Sequence, residues 1–193
     1  MVGVKRFDEV GVVDAAMRLF WAEGYAPASI DAIERATGLK RGSLYNAFGS
    51  KEGLFLRALA RYATVEEAWL RALSAEPLCA GIGAALASQR AVFRDRDTPP
   101  GCLIAGSLTE PGLDGGPGKA LAKRQAETAA AVRERFEAAA QRGELGADFE
   151  PAPLAAFFLA TFRMLANTDR TEGTAAALAL SATAEALFRG TLA

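Results

Sequence analysis

Three observations predict an all-α fold. Alanine is abundant and β-branched residues are sparse, which favours helix because short side chains lose little entropy on folding. Apolar residues recur every three or four positions through most of the 193 residues. No segment reads convincingly as a strand.

The elements follow in order. From Asp8 to Glu23, Val10, Val13, Ala16, Met17, Phe20 and Trp21 form a helical stripe, and Gly24 stands where a C-cap belongs. Ser29 is placed as an N-cap before a short helix over 30–36, which Thr37-Gly38 interrupts. A second short amphipathic piece runs from Lys40 to Phe48 and breaks at Gly49. Ser50 caps a long helix whose stripe is Leu54, Phe55, Ala58, Leu59, Tyr62, Val65, Trp69 and Leu73. Pro77 ends it, and a further helix reaches roughly to Arg96 before Pro99-Pro100-Gly101. A short helix over 102–110 precedes a Gly-rich loop over 111–118, followed by helices over 119–142, around 154–165 and over 174–191. The expected total is nine. The expected boundary puts a three-helix unit at residues 1–62, with its helix-turn-helix at 29–48, and a larger helical unit at 63–193.

Composition narrows the function. Hydrophobic residues at 51% supply a core, and a net charge of −1 means that any nucleic-acid contact must come from a local patch. Histidine is absent, which excludes imidazole bases, His-based zinc sites and Ser-His or Cys-His nucleophiles. Cys79 and Cys102 are too few for a disulfide framework and fit a reducing compartment. With no secretory signal and no apolar run near the ~20 residues of a membrane span, a cytoplasmic location is expected. Enzyme chemistry is poorly supplied, and no cofactor or metal is expected. The run Gly118-Lys119-Ala120 is no phosphate loop: Leu113 stands where the first Gly belongs and Ala120 where Ser or Thr would hold magnesium.

The informative window is 29–48. Two helices of about two turns, joined by a short turn containing Gly, read as a helix-turn-helix. Gly38 suits a left-handed turn position. With Ile33, Leu39 and Leu44 packed inward, Lys40, Arg41, Ser43 and Asn46 are left on an outer face. Such a helix start can enter a major groove, where cations reach phosphates or guanine edges. Ser29 and Lys51, each at a helix start, are placed for phosphate contacts. Residues 1–60 carry eight Lys/Arg against seven Asp/Glu, so placement matters more than amount, with Lys5 and Arg6 adding to the basic ends.

The run from Phe7 to Leu59 resembles the N-terminal domain of TetR/AcrR-family transcriptional repressors. The matching pieces are AAMRLFWAEGYAPASIDAI, the turn ATGLKRGSLYNAF, and GSKEGLFLRAL. The resemblance implies nine helices, a homodimer, a ligand-responsive C-terminal domain, and operator-DNA contacts from Ser29, Lys40, Arg41, Ser43, Tyr45 and Lys51. Asn46 and Ala47 replace an aromatic and a His common in the family, and Glu34 replaces a usual small residue. Both departures bear on base preference.

The expected partners are double-stranded operator DNA, a small-molecule effector and a second copy of the chain. For the dimer face, Leu154, Phe157, Phe158, Phe162 and Leu165 line one side of a helix, and Ala175, Ala176, Ala179, Ala182 and Ala186 allow close approach, with some of these residues serving the unit's own core instead. The resemblance places an effector pocket among Trp69, Phe93, Cys102, Leu103, Phe158, Phe162 and Arg163. Arg163 is read either as a partner for an anionic ligand or as an arginine that snorkels from the edge of the stripe or bonds Asp169 or Glu110. Cys102, at a helix start, is read either as a sensor thiol with lowered pKa or as a small buried apolar group. An activator on the same fold, or an all-α small-molecule binder without DNA function, stands as the alternative.

Overall fold

The structure is a computed structural model that describes residues 7–108, 110 and 113–192. Lys5, Arg6, Pro111 and Gly112, which figure in the sequence reading, lie outside the described residues. Within them the chain forms nine helices: α1 (Glu9–Glu23), α2 (Ile30–Thr37), α3 (Arg41–Phe48), α4 (Lys51–Leu73), α5 (Leu78–Arg94), α6 (Leu103–Leu108), α7 (Gly115–Gln141), α8 (Pro151–Thr171) and α9 (Thr174–Thr191). An isolated bridge between Leu145 and Leu192 is the β-type pairing seen among the described residues.

The caps are those the side chains dictate. Asp8 accepts from the Val10 N–H, Ser29 from Ala32 and Ser50 from Gly53, each satisfying an N–H that the first helical turn leaves unpaired. Gly24 and Gly38 close α1 and α2 at φ +92° and +71°.

Two apolar clusters organise the chain. Phe20, Trp21, Ile33, Leu44, Leu54, Phe55 and Tyr62 fill the first, which joins α1–α4 and also takes in Leu103, Ile104 and Leu121. Leu73, Ile82, Leu86, Val132, Phe136, Phe158, Leu165 and Phe188 fill the second, between α4, α5, α7, α8 and α9. Cys102 packs against both. The short helix α6 therefore sits between head and body, and α4 runs through both as one rod.

Two sequence expectations are corrected here. The Gly-rich stretch is not wholly a loop, because α7 reaches back to Gly115. Its glycines permit close approach: a Cβ on Gly118 would stand 2.3 Å from the Leu113 carbonyl, and one on Gly116 would strike the Glu52 carboxylate. Pro117 is tolerated because the first turn needs no N–H from it. The apolar stripe of α8 is also not one outward face. Leu154, Phe158, Phe162 and Leu165 are buried in the body's own core, leaving Phe157 exposed. Phe158 touches Trp69, Phe136, Phe162 and Phe188 with ring centroids 4.8–6.4 Å apart.

Candidate nucleic-acid interface and the cavity behind it

The geometry of α2–turn–α3 is built from short-range bonds. The Thr37 hydroxyl donates to the Ile33 carbonyl (2.7 Å) and accepts from the Leu39 N–H (3.3 Å). Gly38 turns in the left-handed region and donates its N–H to the Glu34 carbonyl (2.9 Å). A Cβ on Gly38 would meet nothing within 4 Å, so it is the backbone angle, not crowding, that favours glycine. Leu44 is the buried residue of α3, and it fixes the helix by one face.

Lys40, Arg41, Ser43, Tyr45 and Asn46 are all exposed, as is Ser29 at the start of α2. Lys40 occupies the N-cap position of α3 but makes no side-chain cap bond. Glu34 fills that role from α2: its Oε1 accepts from the Arg41 N–H. The Arg41 guanidinium lies 3.8 Å from Asp31 Oδ1, with both side chains well exposed. Ser29 spends its oxygen as an acceptor inside the helix, which leaves its hydroxyl proton free to donate outward.

Lys51 is tied into the structure more than its sequence position indicates. Its Nζ donates to the Ala26 carbonyl (3.2 Å) and lies 4.7 Å from the Tyr25 ring centroid. Desolvation lowers its pKa, with the Glu110 carboxylate acting in the opposite sense. Glu110, just beyond α6, accepts from the N–H groups of Tyr25 (2.9 Å) and Ala26. The turn between α1 and α2 is therefore held from the body side.

Arg170 makes a second tie. Its Nη2 donates to the Trp21 carbonyl at the end of α1 (3.0 Å) and reaches the Cys102 carbonyl (3.5 Å). The side chain crosses α6 closely enough that a Cβ on Gly101 or Gly106 would stand within 3 Å of its guanidinium. Its neighbour Asp169 is buried and accepts from the Gly101 N–H (2.7 Å) and the Thr174 hydroxyl (2.8 Å).

On its other side α6 borders a cavity. Tyr62, Val65, Trp69, Phe93, Ile104 and Phe162 supply apolar walls around about 90 Å³ of void. That is smaller than the roughly 150 Å³ dry cavity that accommodates benzene. A groove of about 480 Å³ continues from it past Ala105, Leu108, Gln125 and Arg163. Polar groups are few. Gln89 donates to the Phe162 carbonyl (3.0 Å) and leaves its Oε1 buried without a partner among the described residues. Glu66 pairs with Arg124 Nε (2.5 Å), yet burial outweighs that cation and raises its pKa.

Of the residues placed in the effector pocket from sequence, Trp69, Phe93, Cys102, Phe162 and Arg163 line the cavity, whereas Leu103 and Phe158 do not. Leu103 points into the head-side core, and Phe158 is enclosed by other aromatic rings. Arg163 is an exposed residue at the edge of the cavity and its groove. Asp169 and Glu110, its candidate partners, are instead bound to backbone and Thr174. The Cys102 thiol is not activated by the start of α6. Burial pushes its pKa up, above the opposing effects of the Ala105 N–H and the Tyr62 hydroxyl, which donates to Sγ at 3.1 Å. The sequence reading missed the Glu34–Arg41 cap and the Arg170 tie, both of which depend on which helix ends meet.

A cation-led second helix presented outward, carried on a helical body with its own cavity, defines a helix-turn-helix regulator of transcription. Residues 12–58 match bacterial regulatory proteins of the tetR family, and residues 79–184 match the tetracyclin repressor-like C-terminal domain. The chain belongs to the TetR family, a family of transcription regulators rather than enzymes. Over 118 residues it is 39% identical to the HTH-type transcriptional repressor ComR of Escherichia coli (strain K12), a match covering 58% of this chain and 55% of ComR. The chain thus spans about half the length of that relative. A cysteine mutant of the TetR family transcriptional regulator CifR, complexed with 26-bp double-strand operator DNA, is 30% identical with a TM-score of 0.81, covering 95% of this chain and 97% of that one. A TetR transcriptional regulator from Chloroflexus aurantiacus J-10-FL is 26% identical with a TM-score of 0.76, covering 94% and 93%. No helix among the described residues is long and apolar enough to cross a membrane.

Proposed function

We infer that the protein is a sequence-specific repressor that binds operator DNA as a homodimer and is released by a small molecule. One observation carries the DNA reading. The first turns of α3 present Lys40, Arg41, Ser43 and Asn46 to solvent while buried Leu44 and half-buried Phe48 anchor the helix. That presents hydrogen-bonding and cationic groups to a major groove, with Ser29, Tyr45 and Lys51 flanking it for the backbone. The likeness to ComR, a transcriptional repressor, and to CifR, complexed with operator DNA, supports the same reading.

The dimer rests on a different surface. Phe157 (55% exposed), Met164 (46%) and Leu187 (60%) stand out on α8 and α9 beside exposed Ala175, Ala179, Ala182 and Ala186. Such a face fits a second copy of itself, and a two-fold pair sets two α3 helices about 34–36 Å apart, one turn of the duplex. The effector reading rests on the cavity behind α6, because the ties to the head lie beside that short helix: Glu110 follows its end, and Arg170 of α8 crosses it to reach the Trp21 carbonyl. A guest that shifts α6 needs to supply only ~1–3 kcal/mol of coupling.

The test is a gel shift with the DNA immediately upstream of the protein's own gene, repeated across salt concentrations. Saturable binding with a steep salt slope is expected, weakened in Lys40→Ala and Arg41→Ala. No preference for that duplex over random DNA, or full affinity in both variants, overturns the reading.

A further inference from the structure

We propose that Glu34 is a specificity-determining residue, which keeps a phosphate away from the start of α3 and reads a cytosine amino group in the major groove. The inference rests on the DNA-binding reading above and goes beyond it.

An exposed helix start carries partial positive charge and unpaired N–H groups, and ordinarily takes an anion. Here the place is taken from within the chain. The Glu34 carboxylate accepts from the Arg41 N–H, at a helix whose N-cap residue, Lys40, supplies no side-chain acceptor. A phosphate at the same point would lose that N–H and face a like charge. Asp31 extends the effect, since its carboxylate lies 3.8 Å from the Arg41 guanidinium and competes with phosphate for it. An exposed pair of this kind is weak and yields readily to a better partner.

What the arrangement rejects and what it admits are therefore different. Base edges carry donors that phosphates lack. A carboxylate has about four acceptor positions, and Arg41 occupies one of those on Glu34. The donor that suits a remaining position is the exocyclic amine of cytosine, the pairing characteristic of acidic side chains in the groove. Arg41, displaced from Asp31, is free for a guanine edge or a backbone oxygen.

The experiment is in-vitro selection from a random-sequence duplex pool with the wild-type protein, Glu34→Gln and Glu34→Ala, followed by titration against an unselected duplex. The wild type is expected to fix cytosine at one position of each half-site, with discrimination of about tenfold or more. Glu34→Gln keeps an acceptor for the Arg41 N–H, and so the helix cap, but it is expected to switch that position to adenine, the base a carboxamide reads. Glu34→Ala is expected to lose the preference and to bind unselected duplex about threefold or more tightly, as one repulsive charge is removed. One consensus shared by all three proteins, with equal affinity for unselected duplex, overturns the proposal while leaving operator binding intact. If the wild type selects no consensus, the operator reading fails and this inference falls with it.

Discussion

Two outward faces of this molecule are equally open to solvent and chemically opposite. The face of α3 presents Lys40, Arg41, Ser43 and Asn46, all groups that water hydrates well. The face of α8 and α9 presents Phe157, Met164 and Leu187 among alanines, which gain from leaving water. Exposure alone names no partner. The first face fits a charged, donor- and acceptor-rich surface such as a duplex, and the second fits another apolar face. The contrast also separates affinity from stability, because neither face contributes much to the core beneath it.

The largest expected effect comes from breaking the apolar face. Charged residues at Met164 and Leu187 (the double variant Met164→Glu, Leu187→Glu) are expected to yield a monomer in analytical ultracentrifugation. They should also weaken operator binding by about 10²- to 10⁴-fold, since the second head then no longer binds at high effective concentration. A double variant that stays dimeric and binds normally would show that this face is not the interface.

Next in size are changes on the polar face. Lys40→Ala and Arg41→Ala are each expected to cost about 5- to 100-fold in operator affinity, with a shallower salt slope wherever a phosphate contact is lost. Their melting temperatures should match the wild type. Leu44→Ala sharpens the comparison within one helix. It removes the buried anchor of α3, should cost about 2–5 kcal/mol, and should be visible in thermal unfolding as well as in binding.

The difference between the two faces also explains what was legible in the sequence. Helix periodicity, Ser29 and Ser50 as caps, and Gly38 as a turn are local signals, and each appears where its side-chain chemistry places it. The apolar stripe of α8 was legible as apolar but not as inward or outward. Leu154, Phe158 and Leu165 pack against α9 and α7, and only the three-dimensional arrangement leaves Phe157 outside. The cavity was half legible for the same reason: Leu103 and Ile104 are neighbours on α6, but only Ile104 faces the void. Gly116 and Gly118 read as part of a loop, yet each leaves room for a neighbouring side chain or carbonyl, as Gly101 and Gly106 do for Arg170.

The ties that join head to body predict a smaller effect. Arg170→Met removes the bonds to the Trp21 and Cys102 carbonyls while keeping much of the stem that lies across α6. Operator affinity is expected to fall about tenfold, the scale of one charged hydrogen bond, with the dimer unchanged by ultracentrifugation. Unaltered affinity would mean that α4, the Glu110 bonds and the packing of α6 hold the head without Arg170.

The smallest effect belongs to a group on neither face. Cys102 sits between the two cores, and burial raises the pKa of its thiol, as it does for the Tyr62 hydroxyl bonded to it. A raised pKa means the folded protein retains a proton that the unfolded chain releases. The associated stability is therefore fully present below the ordinary thiol value and is lost as pH rises from there through the raised value of the folded state. Wild-type protein should lose stability on the alkaline side faster than Cys102→Ala, as read by chemical denaturation at several pH values. Iodoacetamide should label Cys102 more slowly in the native protein than in denaturant at equal pH, because thiolate is the reacting form. Once labelled, the added group has to fit within about 90 Å³ of void or push α6 aside. A labelled protein with full operator affinity would show that occupying this part of the cavity does not reach the head, and an effector would then have to act through the outer groove.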